Sequence, residues 1–346
     1  MYVKDSKIIG FYAYHLGMRG TETAIFDYAR YNEDILNNGS VIFYRHGDPR
    51  NLSVGLKKFK GRFRTLAIRD EEYNMHDIKG SSERFMKKLD KRLVKEDCDA
   101  LYVLKNGADD GIISNVIPTY VHANGMENPS NKHGNKYAYI SKWMEEYYDN
   151  EIPYVPHMIS LEETDEDMRE ELGIPQDDLV FGRTGGPDTW SLPWVNMVIR
   201  EVLKKRDDVH FIFQNTPHWL EHKRIHYIDS GPMFWEKWQD WEKYKTRFIN
   251  TCDAMIHARI DGETFGIACG EFSSRNKAIL TWDNSPQKSH TDILMGKGLY
   301  YDIPSTLFDL MMGLTKDYIE AGDWNAYDDY KPEPVMQKFK EVFLDD

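Results

Sequence analysis

Short apolar runs alternate with helix-like stretches along the whole chain, and this alternation predicts an α/β protein. In the first half, the apolar runs predict strands at Lys7–Tyr14, Ser40–Tyr44, Phe63–Ile68, Ala100–Leu104, Val116–Val121 and Tyr137–Ile140. The stretches between them predict helices at Glu22–Asn37, Ser82–Glu96 and Lys142–Tyr148. Strands and helices that alternate in this way form parallel sheets with helices on both faces.

The same alternation resumes in the second half of the chain. Its predicted strands are Leu179–Gly182, Val209–Gln214, Ile225–Ile228, Ala254–His257, Ala278–Trp282 and Leu299–Tyr301. Its predicted helices are Pro193–Arg206, Phe234–Asn250, Phe265–Arg275 and Pro304–Leu314. The sequence therefore predicts two Rossmann-like sheets, one in each half.

The stretch between the two series, Pro153–Asp178, breaks the pattern. It contains Pro153, Pro156 and Pro175 and an acidic run, as a hinge between two domains does. We therefore expect a first domain over residues 1–155, a second over residues 156–330, and a C-terminal helix within residues 331–346 that packs back on the first domain. Ligands of open parallel sheets bind beyond the carboxyl ends of the strands, so two domains facing each other predict a site in the cleft between them.

The composition is typical of a soluble globular protein, with 41% hydrophobic and 29% charged residues in a chain of 346. No apolar run approaches the roughly 20 residues of a membrane span, so no transmembrane segment is expected. The N-terminus also lacks the basic and apolar regions of a signal peptide. Cys98, Cys252 and Cys269 are too few for a disulfide framework and are expected to be buried free thiols, which predicts a cytoplasmic protein.

The formal net charge of −13 argues against broad binding of nucleic acids or anionic membranes. One basic cluster lies within residues 57–64, where five of the eight residues are Lys or Arg. This cluster is either a solvated face or a surface for an acidic acceptor.

The most informative segment is Cys252–Ser274, which contains a short apolar strand, a polar turn and a predicted helix rich in small residues. Glu263 lies in the turn and Glu271 in the helix, with seven residues between them. A helix start presents backbone N–H groups that can hold a phosphate. Carboxylates on either side of it can accept hydrogen bonds from hydroxyls, and a nucleotide-sugar offers such a layout: sugar, diphosphate, ribose.

Further candidates follow predicted strands. Arg183 directly follows the first predicted strand of the second domain, and its guanidinium suits a diphosphate leaving group. Arg259, in the turn before Glu263, offers a second positive charge. In the first domain, Gly20 lies in a glycine-containing loop after the first strand, and His122 lies near the carboxyl end of another. Each has a plain structural alternative: a strand–helix turn for Gly20, a core histidine for His122, and surface ion pairs for the arginines.

The sequence contains no metal signature. The cysteines lack zinc spacing, and His218 and His222 lack the glutamate of a metalloprotease motif. We therefore expect no metal and no cofactor.

Taken together, these residues resemble the second domain of retaining glycosyltransferases of family 4, which have the two-Rossmann-domain fold called GT-B. The resemblance is clearest across Phe181–Asn284 and weaker over the first domain. Its most specific part is the pair Glu263 and Glu271, which matches the family signature in spacing and context. The resemblance implies an α/β fold with two Rossmann-like domains facing across a cleft.

The resemblance also implies a role for each candidate. Glu263 would contact the donor sugar and Glu271 the ribose hydroxyls, while Gly20 would face the diphosphate from the first domain. His122 would contact the transferred sugar. The other donor-binding residues would be Thr264, Phe265 and Gly266, with the amides of the last two near the phosphates.

One departure from the family pattern concerns the phosphates. The family usually has a lysine a few residues after the arginine that matches Arg183, whereas Gly185–Ser191 contains none. Arg259 is a possible substitute. The sequence hypothesis is a metal-independent, retaining glycosyltransferase that moves a sugar from a nucleotide-sugar donor to a hydroxyl of a glycan, lipid-linked or other acceptor. The alternatives are a sugar-nucleotide epimerase, a catalytically silent nucleotide-sugar-binding protein, and an enzyme that glycosylates modified nucleic acid.

Overall fold

The computed structural model describes residues 6–69, 83–149, 151–228 and 241–345, and these form two compact units. Unit 1 runs through Met158 and includes the segment from Tyr330, whereas unit 2 spans Ile159–Asp329. Each unit contains a six-stranded sheet in which all paired strands are parallel. The predicted α/β fold with two Rossmann-like domains is confirmed.

Unit 1 has the strand order β3-β2-β1-β4-β5-β6. Its strands are β1 (Ile8–Ala13), β2 (Gly39–His46), β3 (Arg64–Arg69), β4 (Ala100–Lys105), β5 (Thr119–Ala123) and β6 (Lys136–Tyr139). Its helices are α1 (Gly20–Asp34), α2 (Ser53–Arg62), α3 (Glu83–Lys95) and α4 (Lys142–Tyr147), with a C-terminal helix (Pro332–Phe339) that continues as a π-helix over Lys340–Leu344. Every residue of β4 and β5 is buried, as expected for strands covered on both faces.

The C-terminal segment is part of the core of unit 1. Phe339 stacks on Tyr28 of α1 with ring centroids 5.4 Å apart, and Phe343 stacks on Tyr120 of β5 at 5.9 Å. Both phenylalanines are completely buried. The last helix therefore covers strands that come more than 200 residues earlier in the chain.

Unit 2 repeats the pattern with the order β14-β12-β10-β7-β8-β9 and a separate two-stranded sheet, β11-β13. Its strands are β7 (Leu179–Arg183), β8 (Val209–Gln214), β9 (Ile225–Ile228), β10 (Ala254–His257), β11 (Gly262–Glu263), β12 (Ala278–Trp282), β13 (Gln287–Lys288) and β14 (Gly298–Tyr301). Its helices are α5 (Arg169–Leu172), α6 (Trp194–Lys205), α7 (Trp241–Thr251), α8 (Ile267–Ser274), α9 (Ser289–Leu294), α10 (Pro304–Gly313) and α11 (Lys316–Glu320), so that the C-terminal helix of unit 1 is α12.

The structure differs from the predicted elements in several places. β5 begins at Thr119 instead of Val116, because Pro118 has no N–H to donate to a ladder and its carbonyl instead accepts from Leu101. Helix α2 was not predicted, since its residues were interpreted only as a basic cluster. The acidic run before Arg169 is not helical, and only Arg169–Leu172 forms a helical turn. Residues 234–240 of the predicted helix Phe234–Asn250, and Ser82 of another, lie outside the described residues.

The basic cluster of α2 and β3 is largely engaged within unit 1. Arg62 donates to Glu33 and Asp34 of α1, and Arg64 donates to Glu96. The Lys58 ammonium lies 4.2 Å from the ring centre of Phe26. These contacts support the interpretation of the cluster as a solvated face.

Candidate functional site

The candidate site of unit 2 begins where β10 and β12 approach their carboxyl ends. His257 is the last residue of β10 and is paired in register with Thr281 of β12. Beyond β10 the chain turns through residues 258–262, and β11 brings it into register with β13, Glu263 opposite Lys288. Parallel sheets bind ligands at this edge.

Gly262 makes the turn possible. Its φ is +73°, in the left-handed region, and a Cβ atom at this position would lie 2.1 Å from the Gln287 carbonyl oxygen. A residue without a side chain is therefore required for β11 to pair with β13 and to place Glu263.

Both carboxylate oxygens of Glu263 have protein partners. His257 Nε2 lies 3.2 Å from Oε1, and Arg259 donates from one terminal guanidinium nitrogen to Oε2 at 2.8 Å. Burial by itself raises the pKa of Glu263, but the hydrogen bond from His257 and the charge of Arg259 outweigh it and lower the pKa to about 2. The side chain is 22% exposed, so an ionised carboxylate reaches the surface with lone pairs to offer a hydroxyl.

Helix α8 starts four residues after Glu263, so its first amides lie close to this carboxylate in the chain. Gly266 precedes the helix with a φ of +91°, so α8 begins at Ile267 and not at Phe265 as predicted. Phe265 is buried and its carbonyl accepts from the hydroxyl of Tyr327, while Thr264 is half-buried. The first N–H groups of a helix have no partner within it, so this start is suited to an anion.

Glu271 lies in the second turn of α8 and is only 3% exposed. Its Oε1 accepts a hydrogen bond from the ammonium group of Lys245 on α7. Lys245 was not predicted from the sequence, because the pairing brings together two helices that are separated by β10. The structure thus places a cation against the carboxylate that was predicted to bind ribose.

Arg183 is the last residue of β7, one residue beyond the predicted end of the strand, and its guanidinium is surrounded by protein acceptors. One terminal nitrogen donates to the carbonyls of Gln214 and Asn215 and to Thr216 Oγ1, and the other donates to the carbonyl of Gly186 and to Thr189 Oγ1, over distances of 2.6 to 3.2 Å. Burial lowers its pKa to about 10. These contacts give Arg183 the role of tying together the loops that follow β7 and β8.

In unit 1, His122 is a core residue of β5. It is 0% exposed, its Nδ1 lies 2.6 Å from Tyr102 Oη, and its Nε2 lies 2.8 Å from the carbonyl oxygen of Val155. Burial lowers its pKa to about 4. Both ring nitrogens therefore have protein partners within unit 1, as in the structural alternative of a core histidine.

Gly20 is the exposed first residue of α1, and close to it lies a pair that sequence reasoning missed, between His15 of the preceding loop and the buried Glu22 of α1. His15 Nε2 lies 3.1 Å from Glu22 Oε1, and Glu22 Oε2 accepts from the backbone N–H of Arg19. Burial raises the pKa of Glu22 to about 7 and lowers that of His15 to about 4. The first turn of α1 thus contains a buried carboxyl group whose pKa is raised to about 7.

Within the described ranges, no group of three or more His, Cys, Asp or Glu side chains is arranged to hold a metal ion. The helices of those ranges are all too short or too polar to cross a membrane. Cys98, Cys252 and Cys269 are buried free thiols, as predicted.

No protein-family model and no curated protein matches the chain at the level of sequence. Solved structures do match it. A glycosyltransferase from Rickettsia africae has a TM-score of 0.67 at 13% identity, with 99% of this chain and 100% of that chain covered. Anabaena HepE in complex with UDP and glucose has a TM-score of 0.65 at 11% identity, with 96% of this chain and 98% of that chain covered.

A third similar structure is a proposed UDP-N-acetylglucosamine 2-epimerase from Listeria monocytogenes. Its TM-score is 0.59 at 13% identity, with 98% of this chain and 97% of that chain covered. Likeness at such low identity shows the fold, which is the two-Rossmann-domain GT-B fold over nearly the whole chain.

Proposed function

We propose that this chain is a retaining glycosyltransferase that transfers a sugar from a nucleotide-sugar donor to an acceptor hydroxyl. The observation that supports this most is the position of Glu263, an ionised carboxylate held by His257 and Arg259 at the start of α8. This site lies in a fold shared with a solved glycosyltransferase and with a protein that holds UDP and glucose.

Each group of the site has a chemical role in this proposal. Glu263 accepts hydrogen bonds from hydroxyls of the donor sugar, and the amides at the start of α8 receive the diphosphate. Arg259, which is 29% exposed, adds the positive charge that the departing diphosphate needs. Glu271 receives the ribose hydroxyls. Arg183 contributes through the loops that it holds.

Retention and metal independence are also part of the proposal. Every oxygen of Glu263 is already engaged by a cation or an imidazole, which makes it a poor covalent nucleophile. Transfer then takes place on one face of the sugar, where the leaving diphosphate accepts the proton of the acceptor hydroxyl. Arg259 and the helix amides supply the charge stabilisation that a metal supplies in other transferases.

The test uses the intact protein with a panel of UDP-, GDP- and ADP-sugars in the presence of EDTA. A donor at ten to a hundred times its Kd should stabilise the fold by roughly 1.4–2.7 kcal/mol, which a thermal shift detects. The stabilising donor is then incubated with candidate acceptors, and NMR gives the anomeric configuration of the product. Transfer with retention supports the proposal; a product of inverted configuration, or a strict metal requirement, contradicts it.

Sugar-nucleotide epimerisation is the second candidate, and the match to the Listeria structure favours it. An epimerase converts the donor without any acceptor. NMR of the donor alone with the protein separates the two activities, since a transferase leaves the sugar configuration unchanged. A silent binder would show the thermal shift with neither reaction.

A further inference from the structure

Glu263 is the outer end of a line of polar groups that runs into the interior of unit 2. His257 Nε2 lies 3.2 Å from Glu263 Oε1, and His257 Nδ1 lies 2.9 Å from Thr281 Oγ1. Thr281 Oγ1 in turn lies 3.0 Å from His290 Nε2 on α9. Thr281 and His290 are both 0% exposed, so bulk water does not compete for these hydrogen bonds.

The proton positions follow from the number of donors in the line. A carboxylate only accepts, so His257 Nε2 carries the proton of the first hydrogen bond. In a neutral imidazole Nδ1 is then a bare acceptor, and the Thr281 hydroxyl must donate to it. Because a hydroxyl has a single proton, Thr281 Oγ1 accepts the third hydrogen bond from His290 Nε2. All three donors then point toward Glu263.

The reverse direction needs an imidazolium at His257, and two observations oppose it. Arg259 already donates to the other oxygen of Glu263 at 2.8 Å, so a second cation at this partly buried carboxylate would meet like-charge repulsion. The reversed line would also place an N–H on His290 Nδ1, a buried atom with no hydrogen-bond partner in the described part of the chain. Burial lowers the pKa of His290 well below its usual value, so this ring carries a single N–H in either direction.

We propose that His257, Thr281 and His290 are positioning residues that form a one-way hydrogen-bond chain and fix the orientation of the Glu263 carboxylate. The hydrogen-bond directions do not depend on the proposed function. The functional half of the inference, that the chain orients Glu263 for transfer, rests on the proposed role of Glu263. His290 anchors the inner end, Thr281 sets the direction, and His257 presents its N–H to Oε1 while Arg259 holds Oε2. A carboxylate held at both oxygens is oriented before the donor sugar arrives, which lowers the cost of ordering it during transfer.

The proton positions are measured directly by NMR of the wild-type protein with ¹⁵N-labelled histidines. The signals of His257 and His290 are identified by their loss in His257→Gln and His290→Gln. We expect both rings to be neutral at pH 7, with a proton on Nε2 and a bare Nδ1. A doubly protonated His257, or a proton on Nδ1 of either ring, overturns the proposal without reference to any activity.

The functional half is tested with a matched set of buried threonine variants. Thr281→Val removes the hydroxyl with little change of shape, Thr281→Ser keeps it, and Thr246→Val removes a buried hydroxyl of α7 that donates to the carbonyl of Glu242. We expect Thr281→Val to lower kcat roughly tenfold, with the donor KM within about threefold of wild type. Thr281→Ser should restore kcat, and Thr246→Val should change neither constant.

The outcomes separate this inference from the proposed function. If wild type transfers sugar and Thr281→Val is as active, the chain does not position Glu263, although the transferase proposal stands. If wild type shows no turnover, the transferase proposal fails while the ring protons still decide whether the chain exists. If Thr281→Val changes the His257 ring protons and Thr281→Ser does not, the direction assigned to the hydroxyl is supported.

Discussion

At the scale of single residues, the partners of a side chain decide what it is able to do. Glu263 and Arg183 both lie at the carboxyl edge of the unit 2 sheet, but only Glu263 retains exposed surface. Its two oxygens each have one donor, and a carboxylate has lone pairs for more. The Arg183 guanidinium is 2% exposed and donates to five acceptors of the protein.

Glu263→Gln should abolish transfer while the fold is retained. Glutamine has the size of glutamate but lacks the charge that a sugar hydroxyl and Arg259 both use. We expect kcat to fall about a hundredfold or more, the effect of removing one group that stabilises a transition state. Steady-state rates with the identified donor measure this, and circular dichroism checks the fold. The control is Glu201→Gln, at a partly exposed position of α6. A Glu263→Gln variant with the activity of the wild type would exclude Glu263 from the mechanism.

Glu22 gives unit 1 a pH-dependent stability. Burial raises its pKa from 4.5 to about 7, so the folded state holds the proton that the unfolded state releases. The associated stabilisation is present below about pH 4.5 and is lost as the pH rises to about 7, with an upper bound of about 3 kcal/mol. Glu22→Gln, which is neutral throughout, should therefore be more stable than wild type at pH 8 and similar to it at pH 4.5.

Chemical unfolding of both proteins at the two pH values measures this difference. Glu221→Gln, whose side chain is 90% exposed, is the control that should show no such dependence. A stability difference between wild type and Glu22→Gln that is the same at both pH values would mean that Glu22 titrates normally.

The residue scale also shows what the sequence was unable to predict. The positions of Arg183 and His122 near the ends of their strands follow from the apolar pattern. Their partners do not, because the acceptors of Arg183 come from the ends of two different strands and the loops after them, and the hydrogen-bond partners of His122 come from residues 102 and 155. The acidic pair Glu263 and Glu271 was recognisable because its spacing lies within one continuous segment.

At the scale of secondary structure, the site depends on how α8 begins and what lies against it. Most strand positions were predictable from apolar runs, and β10 and β9 have the predicted bounds. The start of α8 was not predictable from apolar runs, because Gly266 has a left-handed backbone conformation and the helix begins only at Ile267. Helix α2 was missed because Phe59 is one of only two buried residues among its lysines, too few for an apolar stripe.

The pairing of α7 with α8 through Lys245 and Glu271 should matter for both stability and donor binding. Lys245→Met leaves a carboxylate that is 4% exposed without its cation, which costs about 3–5 kcal/mol when a buried pair is broken. We expect a lower free energy of unfolding and a raised donor Kd, measured by chemical unfolding and calorimetry.

The matched control is Lys243→Met on the same helix, since Lys243 pairs with Glu166, whose side chain is 55% exposed. Exposed pairs contribute roughly 0–1 kcal/mol, so this variant should stay close to wild type. Similar losses of unfolding free energy in the two variants would show that the Lys245–Glu271 pair stabilises the fold no more than an exposed pair does.

At the scale of the whole molecule, the chain forms two units of the same architecture. Alternating strands and helices predicted both sheets, because burial of helices on both faces imposes the same apolar runs in each unit. Solved structures with only 11–13% identity to this chain have a similar fold. The number of strands in each six-stranded sheet was predictable from the sequence. The spatial order of the strands, in which β1 and β7 are inner strands, was not predicted.

Unit 1 should depend on the C-terminal segment for its stability. Phe339 is completely buried against Tyr28 and Tyr102, so Phe339→Ala should destabilise unit 1 by about 3–5 kcal/mol. Hydrogen exchange with mass spectrometry should show faster exchange in β4 and β5 and unchanged exchange in β8 and β10. Tyr318→Ala, at a position 56% exposed, is the control, and protection of β4 and β5 equal to wild type in Phe339→Ala would contradict a core role for the last helix.

The most direct test of Glu263 as the ligand of the donor sugar is a crystal structure with an unreactive 2-fluoro nucleotide-sugar. We predict a Glu263 oxygen within about 3.2 Å of a sugar hydroxyl, the diphosphate at the first amides of α8, and Glu271 at the ribose. A bound donor whose sugar does not touch Glu263, while that carboxylate contacts only His257 and Arg259, would contradict the proposed site.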